Sequence, residues 1–325
     1  MIKVALVTTW PPELCGIASH STNIVRYRAP DVEYRIIQRP FAHDQILGES
    51  VDCPIVHFSY EWGLHGHIPS TWIDELKVRG QKVVCTFHNI WPDDGSFAIT
   101  MDAFTRKNAT VRACDAVVVQ DPHTDPTDGF IYIPQGVMEV PKSEQVEPKI
   151  GTAGFPSEAK GAPIMARVAR ELGLGFLLFA PISRHADAHG MAEKIRQQVP
   201  QAEVVFDFLP QEQIATRLSE CVVTVWAYKA HYGQSGISGS VRLGVAAGRP
   251  MVITRCGMYR DLWQDWEDEI YVIPADTPTF ENMLPVVQEA LKGEKRPNRI
   301  LKEHSWKRCG ELYRKVYGKL LGLGD

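Results

Sequence analysis

The sequence has no run of about 18 uninterrupted apolar residues, so no segment reads as a membrane-spanning helix. It has no CxxC pair either. Its seven cysteines, Cys15, Cys53, Cys85, Cys114, Cys221, Cys256 and Cys309, are odd in number and scattered. That pattern argues against a disulfide framework and reads as buried, reduced thiols in a cytoplasmic protein. Met1 to Trp10 carries one lysine and a short apolar run ended by Pro11-Pro12. It lacks the small-residue cleavage site of a signal peptide and reads as a first buried strand. No single charge sign dominates: 35 Lys+Arg against 39 Asp+Glu leave a net −4, so the chain is not a polycation and carries no strong nucleic-acid signal. Internal repeats and low-complexity tracts are absent. With 44% hydrophobic and 23% charged residues, disorder, collagen and coiled coil are excluded.

Several well-known chemical signatures are missing too. No GxGxxG follows the first strand, which argues against a standard dinucleotide enzyme, and there is no GxxxxGK[ST] phosphate loop. Gly233-Gln234-Ser235-Gly236-Ile237 departs from the GxSxG nucleophile elbow at its last residue. His65-Gly66-His67 has no HExxH or cysteine near it, so a loop or substrate-side role ranks above a metal site. No DxD occurs.

What is present is alternation. The 325 residues suffice for about two domains. Short β-branched runs are expected as strands at Ile2–Thr8, Tyr34–Gln38, Ile55–Phe58, Lys82–Phe87, Ala116–Val119 and Phe130–Ile133. A second series follows at Lys149–Ala153, Phe176–Phe179, Glu203–Phe206, Val222–Trp226, Met251–Thr254 and Ile270–Ile273. Pro163–Leu172, Met191–Val199 and Gln211–Glu220 carry apolar residues at helical spacing. Near-continuous apolar strands separated by helices predict parallel sheets covered on both faces. The pattern occurs twice, on either side of a Pro- and charge-rich stretch at Pro134–Pro148 that reads as a linker.

Three glycine-bearing turns each sit between a predicted strand and a predicted helix: Trp10 to Ser19, Gly151 to Gly161, and Gly233 to Ser240. Free amides and the positive dipole end of a helix N-terminus favour an anion, and glycine lets a phosphate approach the backbone. Lys160 adds a mobile positive charge. Tight strand–helix turns need glycine in any case, so each turn alone is weak, and only their joint placement is specific.

The order of PPELCGIASHS, VHFSYEWG, TFHN, DAVVVQD, IPQGV, GFPSEAKG, FLPQEQI, SGISGSVRLGVAAGRPMV and HSWKRCGELYRKVY resembles the GT-B glycosyltransferases, most closely the retaining, nucleotide-sugar-dependent family 4 group. The resemblance runs from Val4 to Tyr317. It implies an α/β fold of two doubly wound, Rossmann-like parallel-sheet domains facing a cleft. The expected division is an acceptor-side domain at 1–140, a nucleotide-sugar domain at 141–304, and a C-terminal helix at 305–325 returning to the first. It also implies site residues. Gly16 matches a glycine whose backbone approaches the donor phosphate, with Cys15 replacing its partner glycine. His88 matches the histidine near the transferred sugar, and Glu61 is a candidate for positioning an acceptor hydroxyl. Lys160 matches the lysine that neutralises the diphosphate, although Phe155 stands where the family has arginine. Ser238, Gly239, Ser240 and Arg242 match the helix start that caps the diphosphate. Both glutamates of the family's Glu-x7-Glu signature are missing, Ser235 and Leu243 occupying those positions, so Ser235, Ser238, Ser240 or Arg242 are candidates to replace them, and Gly236 is a further donor-binding candidate. No cofactor and no metal are expected.

The expected function is transfer of a sugar from a nucleoside-diphosphate sugar to a hydroxyl on a glycan, a lipid-linked or a small-molecule acceptor. A nucleotide-sugar epimerase or phosphorylase of the same fold, or a non-catalytic nucleotide-sugar binder, are the alternatives. Lys292–Lys319 holds ten Lys/Arg and three Glu, a local +7 against −11 elsewhere. This is either a solvated face or a contact for an anionic acceptor or membrane surface. A hydroxylated DNA base ranks below the other acceptors because of the acidic remainder.

Overall fold

The computed structural model describes residues 1–38, 41–61, 68–88, 109–123, 129–182, 187–230 and 237–324. They form two compact units. One comprises Met1–Gly136 and Trp306–Asp325, the other Val137–Gln234 and Ser238–Ser305. The chain therefore divides at Gly136 and again at Ser305.

The first unit is built on six strands: β1 (Ile2–Thr8), β2 (Val32–Gln38), β3 (Ile55–Tyr60), β4 (Lys82–Phe87), β5 (Ala116–Val119) and β6 (Ile131–Tyr132). Their spatial order is β2-β1-β3-β4-β5-β6, with every pairing parallel. Helices α1 (Gly16–Arg26), α2 (His43–Glu49) and α3 (Ser70–Val78) connect them. β1 is followed by β2 on one side and later flanked by β3 on the other, so the winding reverses between β1 and β3. The strands are apolar along their length because both faces are covered. Val7, Val56, Phe58, Val83 and Cys85 lie in one core cluster.

The second unit repeats the plan with β7 (Glu147–Ala153), β8 (Gly175–Phe179), β9 (Glu203–Val205), β10 (Cys221–Trp226), β11 (Met251–Thr254) and β12 (Tyr271–Ile273). The order is β12-β11-β10-β7-β8-β9, again all parallel, and the winding reverses between β7 and β10. Helices α4 (Ala162–Glu171), α5 (Ala188–Gln198), α6 (Gln211–Leu218), α7 (Gly239–Ala247), α8 (Arg260–Asp265), α9 (Phe280–Ala290) and α10 (Asn298–Glu303) cover it. In an open parallel sheet, ligands bind beyond the carboxyl ends of the strands at such a reversal.

The last helix, α11 (Trp306–Leu320), belongs to the first unit. Its inner face buries Trp306, Cys309, Tyr313, Val316 and Tyr317. Tyr317 hydroxyl lies 2.7 Å from His57 Nδ1, and Tyr313 hydroxyl 3.2 Å from Thr86, so the helix is hydrogen-bonded to residues of β3 and β4. Gly310 permits the approach: a Cβ there would fall 2.0 Å from the Tyr27 carbonyl oxygen. All seven cysteines are free thiols. Five are buried as expected, but Cys15 and Cys114 are only half-buried.

Candidate active site

In the second unit the reversal point gathers five of the residues that matter. β7 ends at Ala153, and Gly154 follows with φ +134°, a conformation side-chain-bearing residues rarely adopt. A Cβ on Gly154 would sit 3.2 Å from Lys160 Nζ and 3.2 Å from Ser240 Oγ. The bare backbone of Gly154 is thus what lets an ammonium and a hydroxyl converge. Lys160 closes the short turn Glu158–Lys160, and its Nζ lies 5.2 Å from the centroid of the Tyr228 ring, within cation–π range. Tyr228 stands just beyond β10, the neighbouring strand. Its hydroxyl is 2.8 Å from Ser240 Oγ, which is 3.1 Å from Ser238 Oγ. Burial pushes the Tyr228 phenol up to about 12, so it stays protonated at neutral pH and can donate.

Ser238 and Ser240 sit at the start of α7. Ser238 is its N-cap, yet its side chain makes no capping hydrogen bond among the described residues and points to Ser240 instead. The amides of the first turn therefore remain for something else, and they carry the positive end of the helix dipole. A lysine, a neutral phenol, two hydroxyls and uncapped amides make a site for an anion with several oxygens.

Arg242, one turn further along, is placed differently. It is 3% exposed and its Nη2 lies 2.5 Å from Asp261 Oδ2, a carboxylate with no exposure, on α8. Its charge is met inside the unit. Nε and Nη1 have no hydrogen-bond partner among the described residues. The arginine ties α7 to α8, and it reaches the anion site only through the helix that it anchors. Gly239 is the first residue of α7. Ser235 and Gly236 lie outside the described residues, as do His65 and His67.

In the first unit the corresponding strand ends hold a polar network. Gly16 opens α1, and no atom lies within 4 Å of where its Cβ would be, so its backbone is open. Cys15 caps the helix, its sulfur accepting from Ala18 N at 3.3 Å. Glu61 and His88 follow β3 and β4 directly, one step beyond the Tyr60–Phe87 register pair. Both are half-buried. His88 Nε2 is 2.8 Å from Ser59 Oγ. A chain of hydroxyls continues from Ser59 to Ser21 at 3.4 Å, from Ser21 to Thr8 at 2.5 Å, and from Thr8 to the Thr9 carbonyl at 3.1 Å. Each hydroxyl has one proton. Thr8 Oγ1 donates to the carbonyl, and Ser21 Oγ donates to Ser59 Oγ. Ser59 Oγ and His88 Nε2 share one hydrogen bond, whose direction follows the tautomer of the ring.

The His88 ring is met edge-on by His20, with centroids 4.6 Å apart and planes at 84°. His20 is 2% exposed, its Nε2 is 2.6 Å from Gln120 Nε2, and its Nδ1 has no partner among the described residues. Burial, reinforced by His88 and His57, holds His20 well below the ordinary histidine range. Tyr228, Asp261 and His20 were not singled out from sequence. Tyr228 has a weak signal as an aromatic just past a strand, whereas nothing local marks the other two.

No family model matches the sequence, and no curated protein matches it. Solved structures do match in shape. A glycosyltransferase from Rickettsia africae superposes with TM-score 0.68 at 12% identity, over 98% of both chains. Anabaena HepE in complex with UDP and glucose gives 0.69 at 10% identity, over 99% of this chain and all of that one. The fold is that of the GT-B glycosyltransferases. A putative UDP-N-acetylglucosamine 2-epimerase from Listeria monocytogenes shares the fold with TM-score 0.56 at 11% identity, over 99% of this chain and 98% of that one. Among the described residues no group of three or more His, Cys, Asp or Glu could hold a metal ion, and no helix is long and apolar enough to cross a membrane.

Proposed function

We propose that the chain is a glycosyltransferase that moves a sugar from a nucleoside-diphosphate sugar to a hydroxyl acceptor, with retention at the anomeric carbon and without a metal ion or cofactor. The observation that carries this is the convergence of Lys160 and Ser240 on Gly154 at the point where the second sheet reverses its winding. In the reaction the bond from the anomeric carbon to the diphosphate breaks, the acceptor oxygen bonds to that carbon, and the hydroxyl proton leaves with the diphosphate or to water. Negative charge grows on the departing diphosphate. Lys160, the α7 amides and the Ser238, Ser240 and Tyr228 hydroxyls are preorganised to stabilise it. In the first unit we assign His88 to the transferred sugar, Glu61 to the acceptor hydroxyl, and the open backbone of Gly16 to the donor phosphate. Retention rests on the family resemblance alone. Seven free cysteines suit the reducing environment of the cytoplasm.

The Anabaena structures hold UDP, glucose or UDP-glucose, so UDP-glucose is the first donor to test. In a thermal-shift panel of nucleoside-diphosphate sugars, a donor at 100 times its dissociation constant should add about 2.7 kcal/mol of stability. Product analysis then separates the readings. Transfer only with acceptor present, surviving EDTA, supports the proposal. Turnover of donor alone would favour the epimerase alternative, and affinity without turnover a binding protein. Loss of activity on chelation, restored by Mg²⁺ or Mn²⁺, would overturn the metal-free mechanism.

A further inference from the structure

The basic run that begins at Lys292 is not one surface. Of the five cations between Lys292 and Lys302, three are answered locally. Lys292 pairs with Glu289, Lys295 Nζ caps the carbonyls of Glu267 and Ile270 at 2.9 and 3.4 Å, and Arg299 pairs with Glu269 and Asp268. The other half lies on α11, whose fifteen residues hold five Lys/Arg and one Glu. There Arg314 pairs with Asp31 at 3.1 Å. Lys307, Lys315 and Lys319 are exposed and make no ion pair among the described residues, and Arg308 is exposed beside them.

At about 100° per residue, Lys307, Glu311, Lys315, Arg308 and Lys319 fall within roughly a third of the helix circumference. The buried residues Trp306, Cys309, Tyr313, Val316 and Tyr317 occupy the opposite side. The stripe from Lys307 to Lys319 is about 18 Å long at 1.5 Å per residue. Beyond its end Leu323 is 49% exposed. The chain as a whole is at −4, so this concentration of positive charge stands against an acidic background.

We propose that the outer face of α11, through Lys307, Arg308, Lys315 and Lys319, docks the protein on the anionic headgroups of a lipid bilayer. The charges form one band along a rigid helix, on the side away from its buried residues, which a flat anionic plane can meet. The flexible lysines keep their heads at the headgroup level, and Leu323 supplies an apolar side chain to the interface beneath. A nucleic-acid backbone offers nothing to that leucine. The surface is independent of the transfer reaction and would act on where the protein resides.

The test is co-sedimentation of the whole chain with phosphatidylcholine vesicles, with and without about one-third phosphatidylglycerol, at about 0.1 M salt and at about 1 M, where the screening length falls to about 3 Å. Binding to the anionic vesicles only, released by salt, is expected. The triple variant Lys307→Gln/Lys315→Gln/Lys319→Gln should weaken binding on the order of 100-fold, at roughly fivefold per charge. Its thermal midpoint should be unchanged. A charge-matched control, Lys3→Gln/Lys77→Gln/Lys292→Gln, removes lysines that already face Asp52, Asp115 and Glu289, and should retain binding. The proposal is overturned if the wild type ignores anionic vesicles, binds zwitterionic ones equally, or binds duplex DNA more tightly at the same salt. Equal binding by the folded triple variant would overturn it as well.

Discussion

The hydroxyl of Ser59 stands 2.8 Å from Nε2 of His88, at the end of a run of hydroxyls anchored on the Thr9 carbonyl. That contact engages Nε2, so the serine orients the His88 ring and biases its tautomer. Removing it should leave the ring free to take either tautomer. For Ser59→Ala we expect turnover to fall by about 2- to 10-fold, the worth of one neutral hydrogen bond of about 0.5–1.5 kcal/mol. The donor KM should stay within about twofold, and Ser59→Thr should restore most of the rate. Steady-state kinetics checks this, and a change confined to KM would place His88 away from the reacting sugar.

Lys160→Ala should weaken nucleotide-sugar binding by about 1.5–3 kcal/mol, the range for a hydrogen bond to a charged group. Stability should barely move, since the side chain is half-buried at a turn. Calorimetric titration with UDP-glucose and a melting curve measure the two quantities together. Unchanged affinity in a folded variant would remove Lys160 from the site.

Gly154→Ala places a methyl group against both Lys160 Nζ and Ser240 Oγ and forces a side-chain-bearing residue to φ +134°. Backbone strain of about 1–3 kcal/mol should appear as a lower urea midpoint. Donor affinity should fall as well, and the loss should not add to that of Lys160→Ala, because the two residues share one contact. Full additivity in the double variant would show that Gly154 and Lys160 act separately.

Arg242 and Asp261 are a buried ion pair. Asp261→Ala strands the guanidinium and should cost about 3–5 kcal/mol, whereas the double replacement Arg242→Met/Asp261→Leu should recover most of that stability. Urea unfolding of the three proteins measures it. A loss below about 1 kcal/mol in the single variant would mean that the arginine finds water or another partner.

His57 has no exposure, and burial, with His88 as a lesser cause, depresses its pKa to about 3. Above pH 6.5 the group is neutral folded and unfolded, and it contributes nothing to the pH dependence. As the pH falls from about 6.5 toward 3 the unfolded chain takes up a proton that the folded chain refuses. Stability should therefore drop by about 1.4 kcal/mol per pH unit, with a second contribution in the same direction from His20. Urea midpoints between about pH 7.5 and 5 would show the slope, and His57→Gln should reduce it by about half.

The twelve strands were legible in the sequence because parallel strands covered on both faces must be apolar along their length. β1, β4, β5 and β11 begin and end where the β-branched runs do, β6 is one residue shorter at each end, and the others differ by one or two residues at one end. The glycine turns after β1 and β7 were legible as turns, since chain reversal at a strand end needs small residues. What gathers at those turns was not. Gly154 and Lys160 lie within one short stretch, but Tyr228 and Ser240 reach them only because β10 packs beside β7 and α7 starts above both. His20 meets His88 because one face of α1 covers the ends of β4 and β5, and Arg242 turns from the site because α8 brings Asp261 beneath it. The basic run read as one charged stretch, and the structure divides it between carbonyls and carboxylates of the second unit and the open face of α11. Local pattern is set by what each side chain must bury, so the sequence alone determined strands, helices and turns. The partner of a charge or a hydrogen-bonding group is set by which elements pack together, and only the tertiary structure decided that.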